Sequence, residues 1–343
     1  MDTLAKQDAN ERETYFREAA VRKGLQAHIL EKDFWVCWTL KRLFEMDTLK
    51  GRLLFKGGTS LSKAHKAIER FSEDIDLSVQ RKSLGFVGDT DPANPDISNK
   101  QRKRQMEALS ESIKELIHGK VWEELNNLVI SELGSDDWKL EKDETDPDEQ
   151  SLAFIYPRTS ITQSPFAYIK PSVKIEFGAR SDHWPATNQV VIPYLSEEIP
   201  EALDDPEVTV KTLDAERTFW EKATILHQMA HLADEKKLPP RYSRHYCDLA
   251  SMIQSGVGNK AAANEELLAT VVSHKIAFYR SAWASYETAT RGSLRLLPSE
   301  VRIKELETDL KSMSEMFFGN PPKLEHVLKT LRDWENQFNQ VEI

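Results

Sequence analysis

Hydrophobic residues follow a helical spacing near the start of the chain and an alternating, strand-like spacing further on. Leu30, Phe34, Cys37, Leu40 and Phe44 recur at steps of three and four residues, which predicts a helix that buries one face against a sheet. Such patterns, with the Gly- and Pro-rich breaks between them, predict helices over 10–23, 26–45, 59–69 and 99–133, and strands over 52–56, 74–79, 152–156, 168–178 and 190–195.

From residue 214 the hydrophobic spacing is helical almost to the end of the chain. It predicts helices near 214–233, 243–254, 263–288, 302–317 and 322–339. A strand-containing part followed by a helical part indicates an α+β protein. We therefore expect two domains, 1–212 with the sheet and the N-terminal helices and 213–343 as a helical C-terminal lobe, with a cleft between them.

The composition is that of an ordinary globular protein. Of 343 residues, 40% are hydrophobic and 30% are charged, which excludes a disordered chain, and no apolar run is long enough to span a membrane. The N-terminus lacks the apolar core of a signal peptide, so we expect a cytoplasmic protein. Cys37 and Cys247 form no CxxC pair and lie within helical patterns, which predicts buried free thiols.

The net charge limits the kinds of partner that the protein can have. A formal charge of −10 argues against a protein that coats nucleic acid nonspecifically, because phosphate contacts need clustered cations. It does not exclude an enzyme that acts on one nucleic-acid end. We interpret the basic cluster at 100–104 and the acidic run at 141–149 as solvated surfaces.

The strongest chemical signal is a glycine turn followed by a strand with two aspartates. The turn is Gly57-Gly58 and the aspartates are Asp74 and Asp76. A glycine turn lets the backbone approach a ligand, and the amides at the start of the next helix attract phosphate. Residues two apart on a strand share a face, so the aspartates present paired oxygen ligands of the kind that Mg²⁺ prefers. The alternative is two acids on a solvated strand face.

A third carboxylate is predicted on another strand. Glu176 and Lys174 share one face of the segment Val173-Lys-Ile-Glu-Phe-Gly178, and Glu176 could project toward the aspartates and help to position an attacking hydroxyl. The alternative is an ion pair between Lys174 and Glu176 on the sheet surface.

The helical part of the chain carries further polar candidates. Lys222 borders an apolar stripe and could either reach a polyphosphate or pair along its own helix. His227 and His231 have the spacing of two zinc ligands, but Gln228 stands where a metalloprotease has its glutamate, so we predict no zinc site. Arg244 and Asp248 lie four residues apart and could simply pair with each other.

Taken together, these segments resemble the successive motifs of the AbiEii/AbiGii nucleotidyltransferase toxins. The resemblance rests on Lys56-Gly-Gly-Thr-Ser-Leu, Arg70-Phe-Ser-Glu-Asp-Ile-Asp-Leu, Lys174-Ile-Glu-Phe-Gly-Ala-Arg180, Glu221-Lys222 and Arg244-His-Tyr-Cys-Asp-Leu249. It implies a minimal, DNA polymerase β-like nucleotidyltransferase lobe joined to a helical lobe, with Mg²⁺ and a nucleoside triphosphate (NTP) in the cleft. It also implies a phage-defence toxin with an antitoxin from the same operon.

The resemblance also assigns roles to residues. It implies transfer of a nucleotide to the tRNA 3′ end, with Asp74 and Asp76 as metal ligands, Lys222 as a contact of the nucleotide phosphates and Asp248 as the acidic residue of the last motif. Together with Glu176, the candidate third metal ligand from the strand pattern, these are the candidate catalytic residues. The nucleotide-binding candidates are Lys56, Gly57, Gly58, Thr59, Ser60, Lys63 and Arg180. Which of the two turn hydroxyls touches phosphate stays open. The alternatives are nucleotidyl transfer to a protein or small-molecule hydroxyl, and a module that binds NTP without turnover.

Overall fold

A computed structural model describes residues 1–162 and 169–340 of the protein. The strands are β1 (Leu53–Lys56), β2 (Ile75–Val79), β3 (Lys139–Lys142), β4 (Ser151–Ile155), β5 (Val173–Gly178), β6 (Ala186–Val191) and β7 (Val208–Leu213). The helices are α1 (Asp2–Ala5), α2 (Ala9–Lys23), α3 (Ala27–Glu45), α4 (Gly57–Thr59), α5 (Asn99–Leu116), α6 (Trp122–Leu133), α7 (Tyr194–Glu198), α8 (Ala215–Ala230), α9 (Ser243–Gln254), α10 (Val257–Ala262), α11 (Glu265–Phe278), α12 (Ile303–Ser312) and α13 (Leu324–Asn339). π-Helical turns over Ser60–Ala64 and Ile117–Val121 extend α4 and α5.

The strands form one mixed sheet in the order β3-β4-β5-β2-β1-β7-β6. β2 is parallel to β5 and β1 is parallel to β7, whereas the other neighbouring strands are antiparallel. A mixed sheet with helices confirms the predicted α+β class.

The chain divides into two compact units. The first consists of residues 1–65, 71–91 and 103–213 and contains the whole sheet. The second consists of residues 66–70, 92–102 and 214–343. The short segments 66–70 and 92–102 thus belong to the second unit. The predicted division at 212/213 assigned them to the first domain.

One face of the sheet is covered by α3. Trp38 of this helix stacks on Phe154 of β4 with ring centroids 5.7 Å apart. Phe154 shares its face with Ile175 and, through the register of β5 and β2, with Ile75. All three side chains are buried, so the opposite face of β2 and β5 is the one that carries the polar residues, because side chains alternate along a strand.

The core of the second unit is aromatic. Trp334 of α13 lies with its ring centroid 5.0 Å from that of Phe219 and 6.0 Å from that of Trp220, both on α8. Phe338 stacks on Trp334 at 5.1 Å. This cluster joins the first and last helices of the unit, which confirms the apolar stripe predicted for 214–233.

Several predicted elements differ in the structure. The helix predicted over 59–69 begins at Gly57 and ends at Ala64, because Lys66 has a left-handed backbone with φ +50°. The strand predicted over 190–195 lies at Ala186–Val191. The one predicted over 168–178 begins at Val173, and its first residue lies outside the described residues. Strands β3 and β7 were not predicted.

Helix ends in the second unit depend on local capping. The helix predicted over 263–288 is shorter in the structure, because α11 ends at Phe278. It begins after Asn264, whose side chain accepts a hydrogen bond of 3.0 Å from Leu267 N. Cys37 and Cys247 are buried free thiols, as predicted. None of the helices in the described ranges has the length and apolar character needed to cross a lipid bilayer.

Candidate active site on the sheet of the first unit

Three neighbouring strands bring two acidic residues and a lysine side by side. Asp76 of β2 lies opposite Glu176 in the parallel pairing with β5, and opposite Lys56 in the antiparallel pairing with β1. Asp74 directly precedes β2, two residues before Asp76. The structure therefore brings the predicted carboxylates to the face of the sheet that α3 does not cover.

The Gly57 turn contacts this face through its backbone. Gly57 has φ +77°, and a Cβ atom added there would lie 1.8 Å from Oδ2 of Asp76. Glycine is thus required at position 57 for two reasons. It can adopt the left-handed backbone, and no side chain fits beside the carboxylate. The following Gly58 is half-buried within α4.

The two hydroxyl groups of the turn bond within the protein. Thr59 Oγ1 donates a hydrogen bond to the carbonyl oxygen of Asp74. Ser60 Oγ donates one of 2.9 Å to the carbonyl oxygen of Gly57. Both residues are buried, so their hydroxyls hold the turn in shape and tie it to the segment before β2.

The carboxylates cannot all be ionised at low energetic cost. Burial, together with the negative charge of Glu73, raises the pKa of Asp74 to about 6. Burial raises the pKa of Asp76 to about 7; Lys56 opposes this shift, whereas Glu176, which shares a hydrogen bond with Asp76, and Asp74 add to it. Removing like charges from water favours their protonated forms.

Lys174 keeps Glu176 ionised. Its ammonium lies 2.6 Å from Oε1 of Glu176 and 3.4 Å from Oδ2 of Asp143. Burial opposes ionisation of Glu176, but the hydrogen bond and the charge of Lys174 lower its pKa. The predicted ion pair of Lys174 and Glu176 is therefore present, and Glu176 faces Asp76 as well.

The donor atoms at this site suit magnesium. Asp74, Asp76 and Glu176 offer only carboxylate oxygens, which are hard ligands. A divalent cation would also relieve the repulsion that raises the pKa values of Asp74 and Asp76. As placed, no group of three or more His, Cys, Asp or Glu side chains among the described residues encloses a metal position, so binding would require these side chains to close around the ion.

Lys63 and Arg180 are two of the predicted phosphate contacts. The ammonium of Lys63 is 2.7 Å from Oδ1 of Asp33 and 3.4 Å from the centroid of the Tyr194 ring. Arg180 follows β5, and its carbonyl oxygen accepts a hydrogen bond of 2.8 Å from Arg81. The contact with Asp33 gives Lys63 a structural role. The phosphate contacts of Lys63 and Arg180 stay predictions.

The second unit holds a separate cluster of charged residues around Asp248. Arg70 donates to Asp248 through Nε at 2.7 Å and Nη2 at 2.9 Å, and Lys222 donates to it at 2.8 Å. Burial opposes ionisation of Asp248, but Arg70 and Lys222 hold its pKa well below the usual range. Asp248 thus pairs with these two residues, and the pairing with Arg244 suggested by its spacing is not formed.

Positive charge exceeds negative charge in this cluster. Arg244 lies close enough for its charge to lower the pKa of Lys222, after the larger effects of burial and of Asp248. Burial and the charges of Lys222 and Arg244 hold the pKa of His245 well below its usual range, so His245 is neutral. The cluster is therefore suited to an anionic group.

The comparisons with known proteins agree with the motifs. The model of the family described as nucleotidyl transferase AbiEii toxin, type IV toxin–antitoxin system, matches residues 38–339. The chain belongs to this family. The protein is therefore a nucleotidyltransferase, and membership of a type IV toxin–antitoxin family implies an NTP substrate and an antitoxin partner.

Similarity outside the AbiEii family model is weaker. A similar solved structure is the nucleotidyltransferase toxin MenT4 from Mycobacterium tuberculosis H37Rv, with 16% identity, coverage of 96% of this chain and 90% of that chain, and a TM-score of 0.49. No curated protein matches the chain. The family assignment rests on the match over residues 38–339.

His227, the first histidine of the pair with zinc-like spacing, has a structural role in this AbiEii chain. His227 Nδ1 accepts a hydrogen bond of 3.0 Å from Arg295 N, and Nε2 lies 3.1 Å from Ser285 O and from Thr288 Oγ1. Burial lowers the pKa of His227 to about 4. Both of its ring nitrogens are engaged by protein groups, and the absence of zinc from the His227–His231 pair stays a prediction.

Sequence reasoning missed two groups of residues in the AbiEii chain. Arg70 was part of a quoted motif but had no role, although it holds Asp248. Glu31, Lys32 and Asp33 lie in the second turn of α3 and are buried. Three consecutive charged residues inside an apolar helical pattern were the signal that could have identified the second group.

Proposed function

We propose that an RNA hydroxyl, that of the tRNA 3′ end, attacks the α-phosphorus of a magnesium-bound NTP, so that a nucleoside monophosphate is transferred to the RNA and pyrophosphate is released. The observation that carries the proposal is the meeting of Asp76, Glu176 and the Gly57 turn at one point of the sheet. The tRNA acceptor comes from the resemblance of the motifs.

Asp74, Asp76 and Glu176 would hold Mg²⁺. When bound, the ion supplies positive charge that neutralises the phosphates of the NTP and activates a hydroxyl. The raised pKa values of Asp74 and Asp76 support this assignment, because a buried cluster of acids that resists ionisation gains most from a cation.

The Gly57 turn would position the phosphates. Since Gly57 has no side chain beside Oδ2 of Asp76, the backbone N–H groups of Gly57 and Gly58 can approach a ligand held by the carboxylates. The hydroxyls of Thr59 and Ser60 bond to carbonyl oxygens of the same segment, so the N–H groups are the phosphate donors and the hydroxyls maintain their geometry.

Charged side chains would complete the nucleotide site. Lys56 lies opposite Asp76 in the register of β1 and β2, where an ammonium can offset phosphate charge. Glu176, which Lys174 keeps ionised, would orient the acceptor hydroxyl and accept its proton at a carboxylate oxygen. Arg180 and Lys63 stay as further predicted phosphate contacts.

Lys222 is the candidate phosphate contact of the second unit. Asp248 and Arg70 fix its position, and the surplus positive charge of the cluster favours an anion there. Asp248 acts through Lys222 by holding its ammonium in place.

Incubation of the protein with each of the four α-³²P-labelled NTPs, Mg²⁺ and total RNA tests the proposal. The wild type should label a band of tRNA size, Asp74→Asn and Asp76→Asn should not, and Glu123→Gln, on the exposed face of α6, should label it like the wild type. Absence of label with all four NTPs, or equal labelling by the aspartate variants, would contradict it.

A protein or small-molecule hydroxyl is the second candidate acceptor. The net charge of −10 favours it, since an acidic surface gains little from a polyanionic acceptor. The same labelled reaction in a cell lysate separates the two acceptors, because label on RNA is lost on RNase treatment and label on protein is lost on protease treatment.

A further inference from the structure

Helix α3 contains three consecutive charged residues that are almost completely buried. Glu31, Lys32 and Asp33 have exposed fractions of 0%, 2% and 1%, and the residues that flank them at 29–30 and 34–38 are apolar. Charged side chains are rarely buried unless each has a partner. Their partners therefore show what the fold requires of this helical turn.

Each residue binds a different segment of the first unit. Glu31 Oε1 accepts a hydrogen bond of 2.7 Å from Thr159 N, beyond β4. Lys32 donates to Glu73 Oε2 at 2.6 Å and to Lys170 O at 3.0 Å. Asp33 pairs with Lys63 at 2.7 Å and accepts from Tyr194 N at 2.5 Å.

The partner of Lys32 is the direct neighbour of a proposed metal ligand. Glu73 is buried and precedes Asp74 in the segment that leads into β2, where buried and half-buried residues alternate from Phe71 to Asp76 as in an extended chain. Successive side chains in an extended segment point to opposite sides. With Glu73 held by α3 on one side of the sheet, Asp74 is directed to the other side, where Asp76 and Glu176 lie.

The Gly57 turn is joined to the same segment and the same helix. Thr59 Oγ1 donates to the carbonyl oxygen of Asp74. Lys63, in the π-helical turn after α4, is held by Asp33. One turn of α3 therefore holds both the segment that carries Asp74 and the helical segment that follows Gly57.

We infer that the buried Lys32–Glu73 ion pair is a positioning device that orients Asp74 for Mg²⁺ binding without itself touching the metal or the nucleotide. The inference rests on the proposed function, because it takes the Asp74 site as the metal site. The rival explanation is that the pair only stabilises the fold. The two explanations predict different Mg²⁺ affinities for a variant that lacks the pair but is still stably folded. Affinity falls if the pair positions Asp74, and is unchanged if the pair only stabilises the fold.

The test replaces the pair by apolar residues of similar size. Lys32→Met/Glu73→Met removes both charges of the pair together, and such replacements often retain stability. The matched control is Lys6→Met/Glu132→Met, which removes a more exposed ion pair of 2.8 Å in the same unit. Thermal unfolding, calorimetric titration with Mg²⁺ alone and the rate of labelled nucleotide transfer are measured for both variants and the wild type.

We expect the Lys32/Glu73 variant to fold, to bind Mg²⁺ about 10- to 100-fold more weakly and to lose activity by a similar factor, as for residues that orient metal ligands. Excess Mg²⁺ should restore part of the activity. The control should match the wild type in affinity and rate. A folded variant with wild-type Mg²⁺ affinity would overturn the inference.

Glu73→Asp serves if the double variant does not fold. It retains the charge but shortens the side chain by one methylene, so Asp74 should shift and Mg²⁺ affinity should fall severalfold, whereas Glu132→Asp should have no effect; unchanged affinity in Glu73→Asp would overturn the inference. If the wild type binds Mg²⁺ but transfers no nucleotide, the proposed function fails while the affinities still decide the inference. If the wild type binds no Mg²⁺, both fail.

Discussion

Asp76 and Glu176 lie directly opposite each other on the parallel strands β2 and β5 and share a hydrogen bond. The residues that flank them, Lys56 on β1 and Lys174 on β5, carry the opposite charge. Burial, Glu176 and Asp74 raise the pKa of Asp76, so in the metal-free protein this carboxyl holds its proton to a higher pH than an ordinary aspartate does.

Asp76→Asn should stabilise the metal-free protein more at neutral pH than in acid. Because the pKa of Asp76 is raised to about 7 from an ordinary value of 3.8, the folded state binds more protons than the unfolded state between these values. The stability that the protonated Asp76 contributes is complete below about pH 4 and is lost as the pH rises through about 7. Asparagine resembles the protonated acid at every pH.

Urea unfolding in EDTA at several pH values measures this effect. The unfolding free energy of Asp76→Asn minus that of the wild type should grow from pH 4 to pH 8. A difference that does not change with pH would mean that Asp76 titrates normally. Glu123→Gln is the control, because Glu123 is exposed on α6.

Gly57→Ala should abolish nucleotide transfer. Its Cβ would meet Oδ2 of Asp76 at 1.8 Å, and its backbone has φ +77°. Gly51→Ala is a matched control, because Gly51 has φ +70° and nothing within 4 Å of an added Cβ. Left-handed strain alone costs about 1 kcal/mol, so both variants should lose that stability, and only Gly57→Ala should lose activity and Mg²⁺ binding. Equal activity of the two would contradict the role of the close contact.

Asp248→Asn should destabilise the second unit strongly. It removes the carboxylate that pairs with the buried Arg70 and Lys222, and removing one partner of a buried ion pair costs about 3–5 kcal/mol. Because the pKa of Asp248 is depressed, its contribution is present above about pH 4 and is lost as the pH falls further. The variant should therefore be less stable at pH 7 and lose less stability in acid.

Denaturant unfolding at pH 7 and pH 3 checks the Asp248 prediction. The control is Asp333→Asn, which removes an exposed pair with Lys329 and should cost at most about 1 kcal/mol. A loss as small as that of the control would show that the cluster does not stabilise the unit.

Removal of metal by two different chelators should show that activity depends on magnesium and not on zinc. A zinc-selective chelator should leave activity unchanged, because both ring nitrogens of His227 are engaged by protein groups. EDTA should abolish nucleotide transfer, and added Mg²⁺ should restore it. Loss of activity with the zinc-selective chelator would contradict the structural role of His227.

Patterns that depend on neighbouring residues predicted much of the fold. The three- and four-residue spacing in 26–45 corresponds to α3, and the alternation around Asp76 corresponds to β2. The same alternation predicted that Glu176 and Lys174 share a face. These features follow from the periods of helix and strand, which are set by residues close together in the sequence.

Features that depend on distant residues could not be predicted. The sheet places β7 beside β1, although about 150 residues separate them, and no local pattern states which strands pair. Arg70 pairs with Asp248, which lies 178 residues further along the chain. The ion pair of Lys32 and Glu73 joins residues 41 positions apart. The charged run in α3 could have indicated burial of Lys32, but no local pattern identifies Glu73 as its partner.

The most direct test of the account is the rate of nucleotide transfer to RNA by the wild type and by Asp76→Asn at saturating Mg²⁺, with both proteins shown to be folded. We predict label on RNA with the wild type and at least about a hundredfold slower transfer with Asp76→Asn, since even residues that only orient a metal ligand cost up to about that factor. Transfer at the wild-type rate by the folded Asp76→Asn variant would contradict the assignment of this face of the sheet as the active site.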